Sequence, residues 1–390
     1  MKLLYNVTPL LGEETGIGVY TRKIIEGIKA INSINSFGFF SNSKVYDDFL
    51  SIHEEDNKAD NLSSLGQIKQ LIYQFAPQIV KTNYTQLTEK IVARQLKTQY
   101  KGYIYHETNY NLLPFEGKKI STFHDLSILH FPEYHPIERV RYFEKHLKYT
   151  LENSDHFITD SKFVKQEMIN ILGVNEHKIT SIPLGVDEIF KPRTEKEISP
   201  TLKKHKLLGL KYFLIVGSFE PRKNIELVLS AYNQLPNSIK QEYKIVHVGP
   251  EGWNNEKIWN EALSLKRKGQ FIKLGYLSKL ELAHVYNGAT MFIFPSIYEG
   301  FGFPPLEAMA SGVPVLSTDN SSLGEIVNEE NAQIIKMQDS KGLKQKIFET
   351  ILQIDSLRTK IENANVRSKA FNWHQTIQRT MDVYKSINLR

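Results

Sequence analysis

Residues 290–318 read TMFIFPSIYEGFGFPPLEAMASGVPVLST, and the rest of the chain is organised around this stretch. The apolar run Met291–Phe294 has the length of a buried strand. A loop holding Gly300 and Gly302 follows, and Pro304 and Pro305 stand where a helix can begin, because proline suits the first helical turn. Gly312 can end that helix, and residues 313–316 form a second apolar run, the next strand. The unit is therefore strand, glycine loop, helix, strand. Such a loop points backbone N–H groups at a helix N-terminus, where an anionic phosphate is stabilised. Glu299 and Glu307 flank it. Carboxylates repel phosphate but accept hydrogen bonds from hydroxyls. Phosphate donors and hydroxyl acceptors in one loop suggest a nucleotide sugar.

Working outward, 390 residues predict two domains. Apolar content of 41% and charged content of 24% suit a soluble globular chain. The absence of cysteine excludes a disulfide framework and a thiolate-ligated metal. MKLLYNVTPLLGEETG reads as a first strand and its turn rather than a signal peptide. No run reaches the ~20 apolar residues that span a bilayer. The net charge of +6 lies wholly in residues 187–390, since residues 1–186 carry 21 basic and 21 acidic side chains. This excess is too dispersed for nucleic acid but compatible with an anionic ligand.

Strands are read at 3–7, 37–40, 78–81, 103–106, 120–123, 156–159 and 179–182. Helices are read at 19–31, 67–75, 136–151 and 163–172, with residues 42–66 polar and irregular. Residues 191–208 (KPRTEKEISPTLKKHKLL) are charged and show little periodicity, which marks a linker. Beyond it strands and helices alternate regularly up to three final helical stretches. The fold class is α/β: two parallel sheets with helices on both faces, with ligands at the carboxyl ends of the strands. The domains are 1–190 and 209–372, and 373–390 is a final helix.

Other constellations fall at strand ends. Gly217-Ser218-Phe219-Glu220-Pro221-Arg222-Lys223-Asn224 leads from a strand into a helix that Asn224 is placed to cap, and its two cations suit a diphosphate. Gly16-Ile17-Gly18 allows close backbone approach, although a tight turn explains it equally well. His124-Asp125 ends a strand and is placed to hydrogen-bond a sugar or move a proton, with His106-Glu107 as a weaker parallel. Neither GxGxxG nor GxxxxGK[ST] occurs, which disfavours a nicotinamide enzyme and a P-loop. No Asp-x-Asp occurs to carry a metal-bound diphosphate. Arg141, Lys145 and Lys148 share a helix face that could meet an anionic membrane, but Glu138, Glu144 and Glu152 make a solvated face the better reading.

EGFGFPPLEAMASGVPV, with seven residues between Glu299 and Glu307, resembles the E-x7-E signature of glycosyltransferase family 4, whose members have the GT-B fold. VGSFEPRKN, FHDL, ITDSKF, IPLGVD and GIGVYT are similar to further blocks of that family, in order. The resemblance implies two doubly wound, Rossmann-like domains facing a central cleft, with a nucleotide-diphosphate sugar held mainly by the second domain and a saccharide acceptor, by family analogy lipid-linked, held mainly by the first. It implies transfer with retention and commonly without a metal, no cofactor, and a last helix that crosses back to the first domain. By motif position Glu299 holds the sugar hydroxyls, Glu307 the ribose and Lys223 the diphosphate, with His124 beside the reacting carbon. Glu299, Lys223 and His124 are the catalytic set. The donor set adds Gly16, Gly18, Ser218, Arg222, Tyr276, Gly300, Phe301, Gly302, Phe303 and Glu307. His106 and Asp125 are candidate acceptor contacts. Ser218 stands where many members carry arginine, and Arg222 is read as supplying part of that charge.

The wording of the blocks looks like that of bacterial polysaccharide mannosyltransferases, which implies GDP-mannose, surface-glycan (O-antigen) synthesis and a cytoplasmic location with peripheral contact at the inner membrane face. The rival readings are a UDP- or other nucleotide-sugar donor, another GT-B enzyme, and a catalytically silent sugar-nucleotide binder.

Overall fold

The computed structural model describes residues 1–11, 15–31, 34–46, 48, 49, 52 and 78–389. In the first domain β1 (Lys2–Asn6), β2 (Ser36–Phe40), β3 (Val45–Tyr46), β4 (Ile104–Glu107), β5 (Lys119–Phe123), β6 (His156–Thr159) and β7 (Ile179–Ser181) form one sheet in the order β3-β2-β1-β4-β5-β6-β7. All pairs are parallel except β2 with β3. In the second domain β8 (Lys211–Val216), β9 (Tyr243–Val248), β10 (Phe271–Gly275), β11 (Met291–Phe294), β12 (Val315–Ser317) and β13 (Gln333–Ile334) form an all-parallel sheet in the order β10-β9-β8-β11-β12-β13. Strand order reverses between β1 and β4 in one sheet and between β8 and β11 in the other. Ligands in such sheets sit in the crevice beyond these switch points.

Sequence accounts for the central strands. All four side chains of β11 are buried, as are the last five of β8, which is what a sheet covered on both faces requires. The unit that follows β11 is as its sequence predicts. A helix runs Phe303–Ala310 with proline in its first turn and ends before Gly312, whose φ of 74° is left-handed.

Three expectations need correction. Residues 78–81 were expected as a strand but open the helix Gln78–Gln99. A short apolar run does not separate the two states, and burial of Glu89, Val92, Ala93 and Leu96 follows helical spacing. Residues 45–46 pair with β2 inside a stretch read as irregular. The linker holds a helix, Glu195–Lys204, opened by a Thr194/Glu197 capping box. Its charges hide a buried face of Ile198 and Leu202, and Thr201 Oγ1 lies 2.7 Å from His284 Nδ1 of the second domain. The helix expected at 67–75 lies outside the described residues.

The last helix, Trp373–Asn388, packs on the first-domain helix Gly16–Lys29. A Cβ on Gly27 would fall 2.1 Å from Ile377, and one on Gly185 would fall 2.2 Å from the Trp373 nitrogen. Tyr384 Oη reaches Tyr5 Oη at 3.2 Å and His106 Nδ1 at 2.6 Å, so the chain's end is fastened into the first sheet.

Candidate active site

The loop after β11 carries Glu299 into a nest of cations from the loop after β8. Lys223 Nζ lies 2.6 Å from Glu299 Oε1, and Arg222 Nη1 lies 3.1 Å from Oε2. Ser296 Oγ donates to Oε1 at 2.6 Å, and Ser321 Oγ accepts from the Glu299 amide at 2.9 Å. Glu299 is buried, which alone would raise its pKa; Lys223 and Arg222 outweigh this and hold it below the usual carboxylate range. Arg222 is more fully committed than Lys223. It also donates to the Tyr298 carbonyl at 2.7 Å and to Glu220 Oε1 at 2.9 Å. Burial opposes its charge, but Glu299, Glu220 and Asp125 more than compensate and raise its pKa.

The geometry of the β8 loop explains how two adjacent cations converge on one carboxylate. Gly217 has a φ of 140°, which turns the chain at the end of β8, and Pro221–Lys223 form a single 3-10 turn. Asn224 follows at φ 54°. It occupies the N-cap position expected for it but makes no capping bond; its Nδ2 donates to the Pro295 carbonyl at 3.2 Å and ties this loop to that of β11.

Glu307 lies on the helix Phe303–Ala310, partly buried, with Tyr286 Oη donating to its Oε2 at 3.1 Å. Burial pushes its carboxyl up to about 7, against the lowering effects of Tyr286 and Lys279. Between the two glutamates Gly302 has a φ of 123°, and a Cβ there would strike Leu323 at 2.7 Å. A Cβ on Gly300 would fall 1.7 Å from the His124 carbonyl oxygen, so the two domains meet at that glycine. Gly16 opens the helix Gly16–Lys29, and a Cβ on it would lie 3.5 Å from the Phe303 ring. A carboxylate with two cations, two helix N-termini and close glycine backbone can bind an anion on one side and hydroxyls on the other.

Residues 199–367 match the family described as Glycosyl transferases group 1, and residues 108–189 match Glycosyltransferase Family 4. The chain is similar to the O-antigen chain mannosyltransferase B of Escherichia coli, 32% identical over 99% of this chain and 100% of that protein. It belongs to glycosyltransferase family 4. Among solved structures it resembles sucrose-phosphate synthase from Thermosynechococcus elongatus (TM-score 0.75, 21% identity, 99% and 98% of the two chains) and Anabaena HepE with UDP-glucose (TM-score 0.73, 16% identity, 99% and 100%). This glycosyltransferase therefore has the GT-B fold.

In the glycosyltransferase, Glu299, Lys223 and Arg222 stand together, and Gly300 touches the backbone of His124. His124 itself has no ring nitrogen to spare. Nε2 lies 2.8 Å from the Thr108 carbonyl and must donate to it, and Nδ1 lies 2.6 Å from Asp160 Oδ2. Burial disfavours its charged form, but Asp160 outweighs burial and raises its pKa, and the Asp160 carboxyl is itself raised by burial, so a proton is held between Nδ1 and Oδ2. Asp125 is partly buried beside Gly300. Its Oδ1 accepts from the Ser127 amide at 2.9 Å, and the Arg222 charge, overcoming burial, lowers its pKa. Ser218 is partly buried beside Gly217, Phe301 is buried, and Tyr276 is 52% exposed just past β10.

His106, expected as an acceptor contact, is corrected. It has no exposed surface, and its nitrogens are taken by Tyr384 Oη and, at 2.8 Å, Thr122 Oγ1. A strand's last residues alternate sides, and this one points into the core.

Sequence reasoning passed over Glu220, Asp160, Tyr298 and His135. Glu220 and Asp160 lie inside quoted motifs, so a buried acid beside a motif cation or histidine was the available signal. His135 is buried with neither ring nitrogen hydrogen-bonded, and burial and the Arg139 charge push its pKa down. Its neighbour Tyr134 accepts from Trp253 Nε1 of the second domain at 2.6 Å. Nothing in the local sequence signals that position. Among the described residues no three of His, Cys, Asp and Glu gather as metal ligands, and no helix is long and apolar enough to cross a membrane.

Proposed function

We propose that the enzyme transfers mannose from GDP-mannose to a growing surface glycan or lipid-linked saccharide, with retention of anomeric configuration and without a metal ion. The observation that carries the donor site is the 2.6 Å pair of Lys223 and Glu299 at the sheet's switch point. The choice of mannose rests on full-length likeness to an O-antigen chain mannosyltransferase.

In this reading the donor separates the pair. The diphosphate draws Lys223, and the sugar hydroxyls donate to Glu299, which the Arg222 charge keeps ionised. Glu307 accepts from the ribose hydroxyls, and the backbone of residues 300–303 lines the sugar and phosphate. The acceptor oxygen forms a bond to the anomeric carbon on the face from which the diphosphate leaves. The bond between that carbon and the phosphate oxygen breaks, and the acceptor's proton passes to the leaving oxygen. Charge grows on that oxygen in the transition state, where Lys223 and the helix N-termini act most strongly. His124, with both ring nitrogens engaged, shapes the wall against Gly300 and does not carry the proton. No Asp-x-Asp is needed because Lys223 supplies the compensating charge.

The test is turnover of GDP-mannose with an O-antigen-type glycolipid acceptor, followed by NMR of the new linkage. An α-linked mannose supports the reading, and a β-linkage overturns retention. Turnover only with UDP-sugars overturns the donor.

A further inference from the structure

Tyr298 precedes Glu299, yet its side chain belongs to the other domain's interior. It is 4% exposed. Its ring sits among first-domain aromatics, with centroids 5.4 Å from His130, 5.8 Å from Phe163 and 6.0 Å from Phe131. Its Oη donates to Glu167 Oε2 at 2.5 Å and accepts from the Leu126 amide at 3.0 Å. Glu167 is fixed in turn, with Oε1 2.5 Å from His130 Nε2.

The backbone of the same residue reaches back into the donor loop. The Tyr298 carbonyl accepts from Arg222 Nη1 at 2.7 Å and from Ser296 Oγ at 3.3 Å, and both of these donors also hold the Glu299 carboxylate. One residue thus joins the first domain, through its side chain, to the groups that orient Glu299, through its carbonyl. A second contact grips the same first-domain helix, Lys162–Asn170. Glu325 Oε1 accepts from the Phe163 amide at 2.8 Å and Oε2 from the Lys162 amide at 3.1 Å. Between these contacts Gly300 lies against the His124 carbonyl, a third place where the two domains touch.

We propose that Tyr298 is a positioning residue whose docking on Glu167 couples closure of the two domains to the placement of Glu299. With the domains apart, Tyr298 leaves the aromatic box and the loop holding Glu299 is released. With the domains closed, Tyr298 is seated and Glu299 is set. This rests on Glu299 as a donor-binding residue, and one readout below is independent of any donor.

The variants are Tyr298→Phe, Glu167→Leu and Glu167→Gln, the last keeping an acceptor for the tyrosine. Because the chain has no cysteine, Glu152→Cys in the first domain and Glu329→Cys in the second carry a dye pair that reports the distance between domains. Tyr298→Phe and Glu167→Leu are expected to lower energy transfer relative to the parent, and Glu167→Gln to restore it. With GDP-mannose, kcat/KM should fall about tenfold in the first two, the size of one lost hydrogen bond to a charged group, mainly through KM. Glu167→Gln should stay within about twofold of the parent. If Tyr298→Phe leaves both readouts at parental values, the proposal is overturned, as it is if Glu167→Gln behaves like Glu167→Leu. Should Glu167→Leu fail to fold, the isosteric Tyr298→Phe decides alone. If the parent does not turn over GDP-mannose, the donor reading fails and the dye distances still decide this one.

Discussion

Lys223 and Glu299 neutralise each other across 2.6 Å in a buried site, and Arg222 stands on the carboxylate's other oxygen. Glu220 balances Arg222 at 2.9 Å, and the most freely exchangeable cation of the site is the lysine. Lys223→Ala leaves Glu299 paired with Arg222, so the fold should survive. The loss should appear in kcat, by about 10²–10³ as for removal of one transition-state donor. Steady-state kinetics with varied GDP-mannose check this; an effect confined to KM would count against it.

Glu299→Ala removes the carboxylate shared by two buried cations. Breaking such a pair leaves uncompensated charge and should destabilise the protein by roughly 3 kcal/mol, read by urea unfolding, as well as abolish transfer. Glu299→Gln keeps one oxygen to accept from Lys223 or Arg222 but turns its NH2 toward the other cation, so it should lose somewhat less stability than Glu299→Ala while remaining inactive.

Glu307 has its pKa pushed up to about 7 by burial. Its ionised form accepts hydroxyl hydrogen bonds better, so the donor KM should rise as pH falls through about 7. Glu307→Gln should remove that dependence. Stability runs the other way: the folded state holds this proton more tightly than the unfolded chain, so stability falls as pH rises from the ordinary carboxyl range through about 7. KM and urea midpoints measured from pH 5.5 to 8.5 test both signs.

The His124–Asp160 pair makes a separate prediction. The folded pKa of His124 is raised by Asp160 in spite of burial. The pair's contribution to stability is therefore full below the unfolded histidine value of 6.5 and is lost as pH rises through the folded one. Asp160→Asn should flatten that part of the stability profile. It should also lower kcat/KM, because the wall against Gly300 is no longer held.

The strand–loop–helix–strand unit at 290–318 was legible because its signals are local: an apolar run, a glycine loop, proline at the helix start and glycine past its end. The two glutamates were legible for the same reason. What Arg222 does was not. Its partners Glu299 and Tyr298 lie 77 and 76 residues away, and the motif around Arg222 names neither of them. His106 looked like a cleft residue by its position at a strand end, but the side of the sheet it faces is set by a helix 278 residues later. The helix Glu195–Lys204 was hidden because only two of its side chains, Ile198 and Leu202, are buried, among a run of charges.

The most direct test of the donor site is thermal unfolding of the purified protein with GDP-mannose, GDP, UDP-glucose and UDP-galactose in turn. A ligand that binds only the folded state at about 100 times its Kd adds about 2.7 kcal/mol, a shift of several degrees. The account predicts that shift with GDP-mannose and GDP, its loss in Glu307→Ala, and none with the UDP-sugars. Stabilisation by a UDP-sugar with none from GDP-mannose would contradict it.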